Sequence, residues 1–230
     1  MKIVRRNDKE FPFLLGQMAD PPESLFCKGD ISLLEHRFIT IVGTRKITEY
    51  GRKIVELLLG EFLKELNIVV ASGMAFGVDE YVHKVCLRRG IKTMAILPGG
   101  LEDVIPERNR LLKEEINKKG LLVAEYPGKV PWGKYLYIRR NRILAGVSEV
   151  VVVIQAGETS GSLSTARFAL DYNRDVLVVP GDITREVSKG CNLLAKEGAE
   201  IITCLEDFKN ILGIEENQLT FFEERKREYP

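Results

Sequence analysis

Four glycine turns hold most of the chemistry legible in this 230-residue chain. They are Gly43-Thr44-Arg45-Lys46, Ser72-Gly73-Met74-Ala75-Phe76-Gly77-Val78-Asp79, Pro98-Gly99-Gly100 and Gly157-Glu158-Thr159-Ser160-Gly161-Ser162. Backbone N–H groups in such turns point outward with no Cβ in the way, and a helix N-terminus adds about half a positive charge. The serine and threonine hydroxyls supply further donors. One such loop alone is equally a plain strand-to-helix turn; the four together, with their Ser, Thr and Arg, suit a phosphate cradle. Neither G-x-G-x-x-G nor G-x-x-x-x-G-K-[ST] occurs, which excludes the dinucleotide fingerprint and the Walker A loop.

A second signal lies in Trp132-Gly133-Lys134-Tyr135-Leu136-Tyr137-Ile138-Arg139-Arg140-Asn141-Arg142. From Gly128 to Arg142 there are five basic residues and no acidic one. Cations meet phosphates, and aromatic rings stack on unpaired bases for about 1–3 kcal/mol each. The same segment also reads as a solvated basic helix start whose tyrosines cover the core. Beside the glycine loops, a polyphosphate ligand is the favoured reading.

Other candidates are weaker. Asp79 and His83 share a helix face and have the spacing of an acid–base couple, but a helix-start aspartate beside an incidental histidine explains them as well. Glu102-Asp103 has the character of a surface turn, and Glu125 that of a loop buttress. No Ser-His-Asp order or G-x-S-x-G elbow is present. Cys27, Cys86, Cys191 and Cys204 form no C-x-x-C pair, and with two histidines in the chain they argue against zinc. Core thiols, reduced in a cytoplasm, are the plain reading.

Positioning these residues requires strands alternating with helices. Apolar strand-length runs are expected at 38–42, 68–71, 93–97, 121–124, 149–154, 176–179 and 200–202. Helical spacing covers 48–66, 78–89, 107–119, 139–147, 162–173 and 190–197, with a last helical piece near the C-terminus. Strands that are apolar nearly throughout, each followed by an amphipathic helix, predict a Rossmann-like, doubly wound α/β fold: a mostly parallel sheet with helices on both faces. Ligands of such sheets bind outside the carboxyl ends of the strands, where the glycine loops fall. Residues 1–35 are expected as an extended lead-in packed on the domain, 36–212 as the domain itself, and 213–230 as a short charged tail.

With 45% apolar and 29% charged residues the composition is that of an ordinary globular chain, which excludes disorder, collagen and coiled coil. No apolar run reaches the ~20 residues of a membrane-spanning helix, and the N-terminus lacks a signal-peptide pattern. The net charge of +1 conceals the basic segment and a tail from Glu206 onward with seven acids against four bases.

The motifs together resemble the bacterial DNA-processing protein A family (DprA, also called Smf). The resemblance is carried by Asp20-Pro21-Pro22 with Gly29-Asp30, Ile41-Val42-Gly43-Thr44-Arg45 with Tyr50-Gly51, and Ser72-Gly73-x-x-x-Gly77-Val78-Asp79. It continues through Leu97-Pro98-Gly99-Gly100-Leu101, Ile105-Pro106 and Asn109, Glu125-Tyr126-Pro127, Arg140-Asn141-Arg142-Ile143 and Ser160-Gly161-Ser162-Leu163. It closes with Val179-Pro180-Gly181, Gly190-Cys191-Asn192-Leu193-Leu194 and Gly198-Ala199, so that it runs from about residue 10 to 210.

The resemblance implies a single-stranded DNA-binding recombination mediator, not an enzyme. It would work as a cytoplasmic homodimer without cofactor or metal and help load the RecA recombinase on incoming DNA during natural transformation. It assigns Arg45, Lys46 and Lys134 to phosphates and Tyr137 to a base. Gly43, Ser72, Gly73 and Gly77, with Ser160, Gly161 and Ser162, become backbone and hydroxyl donors, and Arg140 and Arg142 complete the rim, one of them being open to a structural role. Three departures stand out. Phe76 replaces an arginine common in the family, Ala124 replaces a serine, and neither the N-terminal helical domain nor the C-terminal winged helix of many members is expected here. The alternative is a nucleotide-binding or nucleoside-monophosphate phosphoribohydrolase-like enzyme of the related superfamily. Its P-G-G-x-G-T-x-x-E loop is matched by Pro98-Gly99-Gly100 but not by the Leu101-Glu102 that follows.

Overall fold

The computed structural model describes residues 1–103, 107–131 and 133–214. Trp132, Ile105-Pro106 and nearly all of the charged tail therefore lie outside the described residues.

The strands are β1 (Lys2–Arg5), β2 (Ser24–Gly29), β3 (Arg37–Val42), β4 (Ile68–Ser72), β5 (Thr93–Gly100), β6 (Leu121–Tyr126), β7 (Val150–Val153), β8 (Asp175–Val178) and β9 (Glu200–Ile201). The helices are α1 (Phe13–Gly16), α2 (Glu49–Leu58), α3 (Phe62–Glu65), α4 (Val78–Arg89), α5 (Arg110–Lys119), α6 (Lys134–Val147), α7 (Gly161–Asp171), α8 (Glu186–Lys196) and α9 (Leu205–Ile211). The strands form one sheet in the order β1-β2-β6-β5-β4-β3-β7-β8-β9. From β6 to β9 every pairing is parallel, while β1 and β2 are antiparallel additions at one edge.

Strands β4 and β7 are buried along their whole length, as strands covered on both faces must be. One apolar core lies between the sheet and α1, α6, α7 and α8; it includes Leu15, Ile143, Leu144, Ala166 and Cys191. On the other face α2, α3, α4 and α9 pack through Val55, Leu58, Leu63, Val82 and Phe208, with α5 beside them through Leu112 and Ile116. The doubly wound fold is thus the one expected from the alternating pattern.

Several details differ from the sequence expectation. Residues 1–35 do more than lie along the domain, since β1 and β2 extend its sheet. In β1 Val4 alone is buried, so its four residues give no usable alternation. The helix expected over 48–66 breaks at Leu59–Glu61, around Gly60, a poor helix former. Helix α8 begins at Glu186, so Gly190 is inside the helix and not at its start. A Cβ at Gly190 would press on the Ala156 and Gly157 carbonyls, so glycine permits a close crossing there. Helix α6 begins five residues earlier than its apolar periodicity suggested.

Candidate nucleic-acid interface

Strand order reverses between β3 and β7: the chain winds outward from β3 through β4, β5 and β6 in one direction and through β7, β8 and β9 in the other. At such a switch point the loops leaving the two strands diverge and open a crevice. An open cleft of about 450 Å³ occupies this position. Its wall is built from Gly43, Thr44, Arg45 and Lys46 after β3, Ala75 and Asp79 after β4, Gly157, Thr159 and Ser160 before α7, and Gly161 and Ser162 in its first turn. Helix α6 contributes Tyr137, Arg140 and Asn141.

Three of the four glycine loops therefore converge. The third, Pro98-Gly99-Gly100, does not line the cleft; its Gly100 packs against the Gly128 carbonyl and donates its N–H to Asp103 at 2.6 Å.

Exposed at the rim are Arg45 and Lys46. The Arg45 guanidinium lies 5.3 Å from the centre of the Tyr137 ring, a cation–aromatic contact that presents charge and ring together. Lys134 is also exposed and opens α6, three residues before Tyr137, so the two share a helix face. The first turn of α6 contains no acidic residue and its cap, Gly133, makes no side-chain bond, which leaves that helix end suited to an anion. The lining also includes an acid, Glu186.

The loops are held by a buried scaffold. The Thr44 N–H donates to the Gln155 carbonyl at 2.6 Å, and the Val78 N–H donates to the Thr44 carbonyl at 3.1 Å, which ties the three loops together. Gly77 has φ +85°, and a Cβ there would collide with the Thr44 carbonyl and the Arg45 backbone. Asp79 is buried, and desolvation pushes its carboxyl up to about 6 against the pull of Arg140 and of the Ala75, Gly73 and Gly43 backbone N–H groups. The Ala75 N–H donates to Asp79 Oδ2 at 3.4 Å. Gly43 lines the cleft, whereas Gly73 is buried against the Arg140 guanidinium, which corrects its assignment as a phosphate donor.

Other assigned residues also lie beneath the surface. Ser72 is fully buried and its Oγ donates to the Ile41 carbonyl at 2.7 Å, so its hydroxyl is a strand brace. Arg140 is 4% exposed; its Nη1 donates to the Gly73 and Ile96 carbonyls, clamping the β4 loop to β5. Burial lowers the guanidinium from its ordinary value while Asp79 supports its charge. Arg142 is 5% exposed and faces away, donating to the Asp20 carbonyl at 2.7 Å and pairing with Glu125. Both arginines are corrected from rim contacts to structural ones, because a charge so enclosed is committed to the partners around it. Glu125 does act as a buttress, holding Arg142 and, at 3.3 Å, Arg139.

At the start of α7, the Ser160 and Ser162 hydroxyls bond each other at 2.8 Å, and the Ser160 side chain caps the helix by accepting from the Ser162 N–H. Gly161 is exposed, with nothing within 4 Å of where a Cβ would stand. Asn141, which was not among the assigned residues, donates its Nδ2 to the Gly161 carbonyl at 3.1 Å and lies 2.9 Å from the Ser164 hydroxyl, joining α6 to the start of α7. Gln155 was also missed; its signal is the first polar residue after the apolar run 150–154.

Asp79 and His83 are no acid–base couple. The His83 ring is fully buried, its Nδ1 is 2.8 Å from the Thr93 hydroxyl, and burial with the nearby Arg140 pushes it down to about 3. The Thr93 hydroxyl gives its proton to the Val70 carbonyl at 2.8 Å, so His83 Nδ1 is the donor to Thr93. Cys27, Cys86 and Cys191 are buried, and burial pushes each thiol up to about 12. Among the described residues no group of His, Cys, Asp or Glu is arranged to hold a metal ion, and no helix is long and apolar enough to cross a membrane.

The family model for DNA recombination-mediator protein A matches residues 2–213. DNA processing protein DprA of Bacillus subtilis is 38% identical over 202 residues, covering 87% of this chain and 68% of that one. Among solved structures, DNA processing protein A of Streptococcus pneumoniae superposes with a TM-score of 0.83 at 36% identity, covering 90% of this chain and 72% of that one. DNA processing protein A of Helicobacter pylori, described for its single-stranded DNA binding mode, superposes with a TM-score of 0.81 at 31% identity over 92% and 96% of the two chains.

Proposed function

The chain belongs to the DNA recombination-mediator protein A family, and from that premise we propose that it binds single-stranded DNA across the switch-point cleft. The observation that supports this best is the Arg45–Tyr137 pair, which offers a cation to a phosphate and a ring to a base at one place. In this reading Arg45, Lys46 and Lys134 contact phosphates and Tyr137 stacks on an unpaired base. Gly161, with the hydroxyls around it, receives the strand at the start of α7. Affinity then comes from backbone charge and stacking, with modest sequence preference.

The same reading makes the protein a cytoplasmic mediator and not a catalyst. It acts as a homodimer that helps load RecA on incoming DNA during natural transformation. Its residues hold the strand by charge and stacking, and no bond is made or broken. The phosphoribohydrolase-like alternative loses its main support, since Pro98-Gly99-Gly100 lies outside the cleft.

Fluorescence anisotropy with labelled oligo-dT, a duplex of equal length and AMP as competitor, across a salt series, tests the proposal. Binding to oligo-dT that weakens steeply with salt, weaker binding to duplex and indifference to AMP are the expected results. Displacement or turnover by mononucleotides, without oligo-dT binding, would replace a mediator by a nucleotide enzyme.

A further inference from the structure

Just outside the cleft stands a second cation–aromatic pair. Phe76 follows Ala75, which lines the cleft, and precedes Gly77, whose backbone touches Thr44 and Arg45. Its ring is half-buried, on the crest between the cleft and the start of α4. The Arg108 guanidinium lies 5.0 Å from the centre of that ring. The arrangement repeats that of Arg45 and Tyr137, with the ring carried here by the loop that leaves β4.

Arg108 is available for exchange. Its side chain is 71% exposed, and its Nη2 reaches Glu80 at 3.2 Å. Glu80 is itself only 6% exposed and pairs with Lys84 at 2.5 Å, so two cations share one carboxylate. If Arg108 leaves, Glu80 keeps a partner and no buried charge is stranded. The cluster carries one positive charge beyond neutrality, placed on a ring. That combination is what a phosphate and its neighbouring base require.

Building on the single-stranded DNA reading, we propose that Phe76 and Arg108 form a second base-and-phosphate subsite. A strand leaving the cleft continues over the crest, with one base against the Phe76 ring and the next phosphate on Arg108. The bound length therefore exceeds what the cleft alone accommodates.

A length series of labelled oligo-dT, titrated by anisotropy into the full chain, tests this. The proteins compared are the wild type, Phe76→Ala, Arg108→Gln, the double variant and Arg45→Glu. The shortest oligomers that bind are expected to bind wild type and double variant alike. Beyond a threshold length the wild type gains affinity and the double variant does not, leaving it about tenfold weaker on long strands, within the range of one lost stacking contact. Arg108→Gln, which leaves the Glu80–Lys84 pair in place, lowers the magnitude of the salt slope on long strands by about 0.7. If the double variant matches the wild type at every length while Arg45→Glu loses binding, the second subsite is refuted and the cleft reading stands. Equal weakening at all lengths, the shortest included, also refutes it, because the pair would then belong to the cleft or to the fold. A wild type that binds no oligo-dT refutes both.

Discussion

Arg45 and Arg140 have the same side chain and opposite uses. Arg45 lies over a ring at the rim, while Arg140 is enclosed and gives its protons to main-chain carbonyls. In sequence both are basic residues beside polar neighbours, and nothing in the residue type separates them. His83 presents the same difficulty: its spacing from Asp79 suggested chemistry, and its burial removes it. That burial has a measurable consequence. In the unfolded chain the imidazole binds a proton near pH 6.5, whereas in the folded chain it stays neutral down to about 3. Between those values the unfolded state holds more protons, so stability falls as pH drops. Asp79 acts in the opposite sense, because its carboxyl is raised from 3.8 to about 6 and its ionisation costs stability as pH rises through that window. The two groups therefore oppose each other, and removing the histidine isolates its part. Urea midpoints of wild type and His83→Gln are compared from pH 7 down to pH 4. On acidification those of His83→Gln are expected to fall less, or rise more, than those of the wild type; identical slopes would contradict the assignment.

At the scale of elements, α6 explains why the basic segment was legible only in part. Its residues divide among faces that a linear run does not reveal. Tyr137 and Asn141, four apart, line the cleft, and Lys134 is exposed one turn before Tyr137 on the same side of the helix. Arg139 and Arg142, three apart, share Glu125 on another side, and Arg140 turns inward to the sheet. A charge count over fifteen residues cannot see this; a 3.6-residue period applied from Lys134 onward can, once the helix start is known. The loops give a similar lesson, since Gly77 and Gly161 look alike in sequence. Gly77 is left-handed and wedged against Thr44 and Arg45, while Gly161 has open space. Gly77→Ala is expected to cost about 1–2 kcal/mol in urea unfolding and to weaken oligo-dT binding by displacing Arg45. Gly161→Ala, at the first position of α7, should leave stability equal or slightly higher. Similar effects from the two variants would contradict the packing described.

For the molecule as a whole, the pattern of fully apolar strands followed by amphipathic helices was enough to place a parallel sheet, and the sheet places a site at the carboxyl ends of its strands. The order of strands was not legible, because parallel strands of Val and Ile are interchangeable partners. With it went the location of the switch point and the exclusion of Pro98-Gly99-Gly100 from the cleft. The antiparallel edge, β1 and β2, was hidden for a simpler reason: four to six residues with mixed burial give no clear period. The central claim is that three loops and one helix, brought together where the winding reverses, form a strand-binding surface whose charge is concentrated on Arg45 and Lys134. Anisotropy titrations of labelled oligo-dT with wild type, Arg45→Glu and Lys134→Glu, with circular dichroism to confirm folding, address it directly. Both exposed residues can be reversed in charge without disturbing the core, so both variants should fold as the wild type does and lose binding to below detection. Two folded variants that bind oligo-dT with wild-type affinity would contradict the account.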